Sequence, residues 1–128
     1  MILDTSAIVA IFFEEPGSAE LLDRLGGTVR VGIGAPTLTE AAIVLSARLE
    51  QDARGLLARF VSEADVATVP FGEEHFSAAV DAWLRYGKGR HPAALNLGDC
   101  FSYATATLAR EPLLCAGDDF SKTDLDLA

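Results

Sequence analysis

The sequence contains little of what would cross-link a small protein or anchor it in a membrane. Among 128 residues there are two cysteines, Cys100 and Cys115, which lack metal-ligand spacing and have no second pair to join. We therefore expect buried free thiols, and neither a zinc site nor a disulfide framework. Half of the residues are hydrophobic, yet no apolar run approaches the roughly 20 residues of a membrane span. A single soluble domain covering residues 1–128 is expected.

Basic residues and a targeting signal are also scarce. Ten Lys and Arg residues accompany 19 Asp and Glu residues, which gives a formal net charge of −9. This charge argues against a protein that holds nucleic acid by general electrostatic attraction, unless metal ions and a local basic patch offset it. The apolar N-terminus has no basic region before it and is interrupted by Asp4, so we predict a cytoplasmic protein without membrane association.

Short apolar runs alternate with amphipathic segments, which predicts strands separated by helices. Strands are expected at residues 2–3, 29–33, 66–69 and 112–115, with a weak fifth edge strand at residues 125–128. Helices are expected at residues 7–12, 18–25, 35–51, 52–64, 73–86 and 97–110. This alternation, with right-handed crossovers, predicts a three-layer α/β/α sandwich around a central parallel sheet of four to five strands.

The first six residues place a carboxylate at the end of a strand. Ile2 and Leu3 are predicted to form a buried strand, and Asp4 lies where that strand gives way to a helix. Ligands of open α/β sheets bind outside the carboxyl ends of the strands, so Asp4 could hold a metal ion or a polar substrate. It could equally be only the N-cap of the helix. The presence of other acids at the same edge would distinguish the two.

Three further acids are predicted to reach that edge. Glu40 lies in the first turns of the helix that leaves the second strand, and Asp118 follows the fourth strand. Asp99 opens the helix before the fourth strand, and antiparallel packing brings that helix start to the same edge. No Lys or Arg adjoins Asp4, Glu40 or Asp99, so Mg²⁺ or Mn²⁺ is the expected counter-ion. Such an ion could activate water and neutralise charge on a phosphodiester.

The hydroxyl residues Thr5 and Ser6 follow Asp4 directly. If Asp4 binds a metal ion, the N-cap of the first helix is expected to pass to one of these two residues.

Four short motifs occur in order along the chain. They read ILDTSA at residues 2–7, TLTEAA at 37–42, LGDC at 97–100 and LLCAGDDF at 113–120. With these motifs the chain resembles the PIN-domain nucleases, and within them the VapC-type ribonuclease toxins of bacterial toxin–antitoxin pairs. The resemblance implies a metal-dependent endoribonuclease that cleaves a structured RNA such as tRNA or rRNA. It also implies a homodimer and a cognate antitoxin of the VapB type that blocks the acidic site.

The resemblance also assigns roles to individual residues. It implies that Asp4, Glu40 and Asp99 are the principal catalytic and metal-binding acids and that Asp118 is the fourth. The family often has Thr or Ser two residues before this last acid, whereas Ala116 stands here and Asp119 adjoins Asp118, so either Asp could face the metal. Thr5 and Ser6 are similar to hydroxyl residues that support the family's site, or they only cap the helix.

A basic stretch between two predicted helices is the candidate RNA contact. Arg85, Lys88 and Arg90 lie close together without an intervening acid, and His91 adds a donor. Because this loop leads to Asp99, it could flank the metal and bind phosphates. A solvated surface loop without that role is the alternative.

Some hydrophobic residues are predicted to lie in the core, and others could contact a partner. Phe76, Val80, Trp83 and Leu84 recur at helical spacing and are predicted to be core rather than a base-stacking platform. The first four helices carry more hydrophobic residues than one buried face each requires. Some of these could form a homodimer contact or a groove for a partner helix.

Other functions fit the sequence less well. A receiver-type signalling module needs an acid after its third strand, which here ends in Val69, Pro70 and Phe71, and a phosphatase with an Asp nucleophile needs a second Asp where Ser6 stands. The remaining alternative is a catalytically inactive PIN-like module that binds RNA or a partner, which the presence of all four acids disfavours.

Overall fold

Four short parallel strands form the centre of the computed structural model, which describes residues 1–128. The strands are β1 (Ile2–Leu3), β2 (Val31–Gly34), β3 (Val66–Val69) and β4 (Leu113–Leu114), and they lie in the order β3-β2-β1-β4. Ile2 pairs with Gly32 on one side and with Leu113 on the other. The order of the strands therefore reverses between β1 and β4.

Six α-helices cover the sheet. They are α1 (Thr5–Phe12), α2 (Ser18–Gly26), α3 (Ala35–Leu49), α4 (Arg54–Glu63), α5 (Glu73–Tyr86) and α6 (Leu97–Ala109), and a 3₁₀ turn follows at Phe120–Lys122. The prediction of an α/β/α sandwich with a parallel sheet is confirmed. None of these helices has the length and apolar character that crossing a bilayer requires.

The two faces of the sheet supply two separate cores, because successive strand residues point in opposite directions. Leu3 and Leu114 pack with residues of α1 to α4, while Ile2 and Leu113 pack with residues of α5 and α6. The neighbours Ile2 and Leu3 thus belong to different layers. Both cysteines are free thiols; Cys100 is buried as predicted, whereas Cys115 is only half-buried.

The predicted strand boundaries differ from the observed ones at the start of β2 and at the C-terminus of the chain. The second strand begins at Val31 instead of Val29, which lies outside it and is 95% exposed. At the C-terminus only Leu127 forms a bridge to Leu113, supported by a 2.9 Å hydrogen bond from Ala128 N to Leu113 O. The sheet therefore has four strands, and the expected fifth is reduced to this single bridge.

The prediction that the hydrophobic stripe of α5 is core is wrong. Phe76 is 64% exposed, and Val80, Trp83 and Leu84 are each between 44% and 48% exposed. Ala79 and Ala82 are the buried residues of this helix, so α5 approaches α6 through small side chains and leaves the large ones outside. Phe76, Val80 and Trp83 form one wall of an apolar groove between α5 and α6, which we call the α5 groove. It is lined by Phe71, Phe76, Val80, Trp83, Leu97 and Phe101.

The surplus of hydrophobic residues on the first four helices is confirmed. Leu25, Leu45 and Leu57 are buried, whereas Leu22 and Leu56 remain more than two-fifths exposed. These helices thus have apolar surface beyond the needs of the core.

Candidate active site

The candidate site lies where the chain leaves β1 and β4. Asp4 directly follows β1, and its backbone N–H still donates to Leu114 O of β4 at 3.0 Å. Because the strand order reverses between these two strands, their carboxyl ends border the crevice in which open α/β sheets bind ligands. The observed topology therefore places Asp4 at the expected ligand edge.

Asp4 is buried, and both of its carboxylate oxygens accept hydrogen bonds. Oδ2 accepts from Ser6 N at 3.0 Å and from Ser6 Oγ at 2.6 Å, while Oδ1 accepts from Ser102 Oγ at 2.5 Å. Asp4 has extended backbone angles and is itself the N-cap of α1. The prediction that the cap passes to Thr5 or Ser6 is wrong. A carboxylate has about four acceptor positions, so capping and ligand binding do not exclude each other.

Thr5 and Ser6 both contact the candidate acids. Thr5 Oγ1 donates to Glu40 Oε1. Ser6 Oγ donates to Asp4 and accepts from Ala116 N at 3.0 Å, which ties the loop after β4 to the start of α1. The two hydroxyls therefore link the ends of both strands and the start of α3.

Gly98 is a site residue to which the sequence reasoning gave no role. It is the second residue of α6, and a Cβ atom added there would lie 2.8 Å from Glu40 Cδ. Only glycine lets the start of α6 approach this carboxylate so closely. The available signal was a glycine inside a helix, where it costs stability relative to alanine.

Asp99 is fixed by the cap of its own helix. Asp99 N donates to Asn96 Oδ1 at 2.9 Å, and Asn96 N donates to Asp99 Oδ2 at 3.0 Å. Burial raises the pKa of Asp99 to about 6, and the negative charges of Asp4, Asp119 and Glu40 add to this increase. These charges therefore act on one another at the site. Asn96 was also missed, although the N-x-x-D spacing of residues 96–99 is a capping signal.

The structure distinguishes the two adjacent acids after β4. Asp119 is one of the charges that raise the pKa of Asp99, whereas Asp118 is not. Burial raises the pKa of Cys115 to about 11, and Asp119 contributes there too, after Asp4 and Asp99. Both acids are exposed, and the carbonyl of Asp118 accepts from Ser121. The effect of Asp119 on Asp99 and Cys115 is the observation that favours it over Asp118 as the fourth acid.

None of these acids has a basic partner. Seven ion pairs are present in the molecule, and none includes Asp4, Glu40, Asp99 or Asp119. A set of carboxylate oxygens without cationic side chains matches the ligand preference of Mg²⁺ and Mn²⁺. No three of the side chains already converge as a complete ligand set. The chemistry of the donors fits a divalent cation, and each acid is held by its own hydrogen-bond partners.

The basic loop does not contact this site. Arg85 donates to Asp124, Arg90 Nε donates to Leu84 O, and His91 Nδ1 accepts from Ala93 N. Among these four loop residues, only Lys88 has a side chain without a hydrogen bond or ion pair. No hydrogen bond or ion pair joins the loop's side chains to the four acids, so the structure does not bring these two predicted groups together.

Comparisons with known proteins agree with this geometry. The PIN domain family model matches residues 1–125. Ribonuclease VapC36 of Mycobacterium tuberculosis is 47% identical over 127 residues, which cover 98% of this chain and 91% of VapC36. Ribonuclease VapC of Mycolicibacterium smegmatis is 42% identical over 127 residues, which cover 98% of this chain and 97% of the relative.

Two solved structures have the same fold. VapC20 of Mycobacterium tuberculosis, described as a Sarcin-Ricin loop cleaving toxin, has a TM-score of 0.80 at 16% identity and covers 99% of this chain and 97% of its own. A chain of a toxin-antitoxin complex from Klebsiella pneumoniae has a TM-score of 0.72 at 19% identity and covers 99% of this chain and 95% of its own.

Proposed function

This chain belongs to the PIN-domain family, and within it to the VapC ribonucleases, and from that premise we propose that it is a metal-dependent endoribonuclease toxin. The observation that supports the proposal is a set of four carboxylates at the ends of β1 and β4 and the starts of α3 and α6, none of which has a basic partner. The reaction is the hydrolysis of RNA phosphodiester bonds.

Asp4, Glu40, Asp99 and Asp119 would hold Mg²⁺ or Mn²⁺, with Asp118 as the alternative to Asp119. A bound divalent cation supplies activation of water and neutralisation of phosphodiester charge. The chain's own contribution is to hold the acids: Ser102 and Ser6 hold Asp4, Thr5 holds Glu40, and Asn96 holds Asp99. Because burial and neighbouring charges disfavour ionised Asp99, binding of a cation there would be coupled to the loss of the Asp99 proton.

The central test is cleavage of total RNA by the purified chain with Mg²⁺, with Mn²⁺ or with EDTA. We expect cleavage with either metal ion, none in EDTA, and none by Asp4→Asn or Glu40→Gln. Full activity in EDTA would overturn the mechanism. RNA that is bound but never cut by the wild-type chain would instead favour the inactive binding module.

We propose a structured RNA such as tRNA or rRNA as the substrate, and a VapB-type antitoxin as the inhibitor. The names of the relatives and the toxin-antitoxin complex of the structural neighbour support this partner. Mapping the 5′ ends produced in total cellular RNA identifies the substrate. Restored growth on co-expression of a candidate VapB-type protein tests the inhibitor. Cleavage ends scattered over all RNA would contradict a structured target.

We retain an RNA contact for Lys88 and Arg90 as a proposal. Each phosphate contact contributes roughly 0.7 to 0.9 to the slope of log K against log salt. The Lys88→Ala, Arg90→Ala double variant should therefore have weaker RNA binding and a flatter salt dependence, whereas Arg59→Ala, which loses only a surface pair with Glu63, should not. An unchanged slope would remove the loop from RNA binding.

We also propose that the α5 groove is covered by α5 of a second copy. Glu73 and Glu74 open this helix, and Lys88, whose side chain has no partner within the chain, follows its end. In an antiparallel pair each acidic start faces the other copy's basic end, while Val80 meets its counterpart near the two-fold axis and Phe76 lies opposite Trp83 of the other copy. This self-complementary arrangement favours a homodimer through α5 over one through the first four helices.

The dimer is tested by measuring the molar mass in solution. Phe76→Glu with Val80→Glu should give a monomer, whereas Leu22→Glu on the exposed part of α2 should leave the mass unchanged. Because Lys88 would lie near Glu73 of the other copy, the mass of the Lys88→Ala, Arg90→Ala variant is measured with its RNA binding. A wild-type chain that is monomeric at high concentration would overturn this interface.

A further inference from the structure

A chain of buried hydroxyl groups ends on Asp4. Ser102 Oγ lies 2.5 Å from Asp4 Oδ1, and Thr37 Oγ1 lies 3.2 Å from Ser102 Oγ. Ser102 is completely buried, and Thr37 is 1% exposed. Two polar side chains without access to water need a specific reason to be there, because burying a hydroxyl without a partner is costly.

The direction of these hydrogen bonds follows from the number of protons. An ionised carboxylate only accepts, so Ser102 uses its single hydroxyl proton on Asp4. Thr37 must then donate to Ser102. The order is Thr37 to Ser102 to Asp4, and no buried side-chain nitrogen or oxygen in the molecule is left without a partner.

This hydroxyl chain joins the three elements that carry the principal acids. Thr37 lies three residues before Glu40 on α3, and Ser102 lies three residues after Asp99 on α6. Residues three apart are neighbours on a helix surface. Each hydroxyl is therefore one helical turn from an acid, and together they connect α3 and α6 to the end of β1.

The two oxygens of Asp4 differ in their remaining capacity. Oδ2 accepts two hydrogen bonds from Ser6, whereas Oδ1 accepts only the one from Ser102. A carboxylate oxygen has about two acceptor positions, so Oδ1 keeps one and Oδ2 keeps none. We propose that Ser102, oriented by Thr37, is a positioning residue that fixes Asp4 Oδ1 as the oxygen presented to the divalent cation. This inference rests on the metal-dependent function proposed above.

The experiment measures Mn²⁺ binding to the full chain by titration calorimetry. Removing a hydrogen-bond partner of a metal ligand typically costs about 10- to 100-fold in affinity. Ser102→Ala should lose affinity in this range, and Thr37→Val should lose less in the same direction. Thr37→Ser keeps the hydroxyl and should bind like the wild type.

Thr105→Val is the matched control. Thr105 is a buried hydroxyl residue on the same helix, but its Oγ1 donates to Phe101 O and has no path to Asp4. The melting temperature of each variant without metal measures the general cost of losing a buried hydroxyl. Thr105→Val should lose stability without losing Mn²⁺ affinity.

The outcomes separate this inference from the function on which it rests. A wild-type chain that binds no Mn²⁺ would overturn both. Wild-type binding with unchanged affinity in Ser102→Ala and Thr37→Val would overturn only the positioning role. Equal loss in Thr37→Ser and Thr37→Val would also overturn it, because the hydroxyl would then not be the group that matters.

Discussion

Two regions of the molecule use aspartate in opposite ways. At the acidic edge, the charges of Asp4, Glu40 and Asp119 act on Asp99, and none of the four acids has a basic partner. At the other region, which we call the Arg85 cluster, Asp124 accepts from Tyr103 OH at 2.5 Å and from Arg85 Nη2 at 3.1 Å. Both are networks of short polar contacts, yet only the second contains its own positive charge.

The pKa values record this difference. The hydrogen bond from Tyr103 and the pairing with Arg85 lower the pKa of Asp124, whereas burial and three neighbouring acids raise the pKa of Asp99 to about 6. A carboxylate neutralised within the protein stabilises the fold. A carboxylate that lacks a partner is available to a cation that arrives from outside.

Replacing an aspartate with asparagine in each region should produce the largest difference in RNA cleavage. We expect Asp99→Asn to lower RNA cleavage by more than about 100-fold, because loss of a direct ligand should exceed the cost of losing a ligand's partner. Asp124→Asn should keep most of its activity and lose stability instead. Initial cleavage rates and melting temperatures of both variants decide this, and equal loss of activity would erase the distinction.

A second substitution tests whether α6 must approach Glu40 as closely as it does. Gly98→Ala places a Cβ against the Glu40 carboxylate, so we expect cleavage and Mn²⁺ affinity to fall about 10-fold or more. Gly55, the second residue of α4, has nothing within 4 Å of an added Cβ and is the matched control. Gly55→Ala should keep full activity. Normal Mn²⁺ binding by Gly98→Ala would show that the close approach is unnecessary.

A third pair of variants compares the contributions of Asp118 and Asp119, the two acids after β4. Because Asp119 and not Asp118 acts on Asp99, Asp119→Asn should weaken Mn²⁺ binding by about 10-fold, and Asp118→Asn should change it little. The same calorimetric titration compares them directly. The reverse ranking would return the role of fourth acid to Asp118 and show that the loop rearranges when the cation binds.

The smallest expected effect is on stability in EDTA. The folded-state pKa of Asp99, about 6, exceeds its ordinary value of 3.8, so its contribution to stability is present at low pH and lost as the pH rises through about 6. The depressed pKa of Asp124 gives the opposite dependence, with stability lost as the pH falls. Asp99→Asn should therefore gain a few degrees in melting temperature over the wild type at pH 7.5, and less at pH 4.5. A gain that is equal at both pH values would exclude this linkage.

Periodicity and chain direction alone determined the general layout of this protein. The alternation of apolar runs with amphipathic segments is a local property, and parallel strands with right-handed crossovers leave few topologies. Once the strands are parallel, residues that follow a strand or open a returning helix must lie at one edge. That is why Asp4, Glu40 and Asp99 could be grouped from the sequence, and why the motifs in which they lie carried the family resemblance.

Only the tertiary structure decided how those acids are held and which surfaces remain free. The contacts of Gly98 with Glu40 and of Ser102 with Asp4 join residues 58 and 98 positions apart, and they depend on how closely α6 packs against its neighbours. The exposure of Phe76 has the same origin. Helical spacing indicates that one face is apolar, but the small side chains of Ala79 and Ala82 determine which part of that face α6 covers. Hydrophobic periodicity can be read from the sequence, whereas the burial of a helix face depends on the neighbouring element that packs against it.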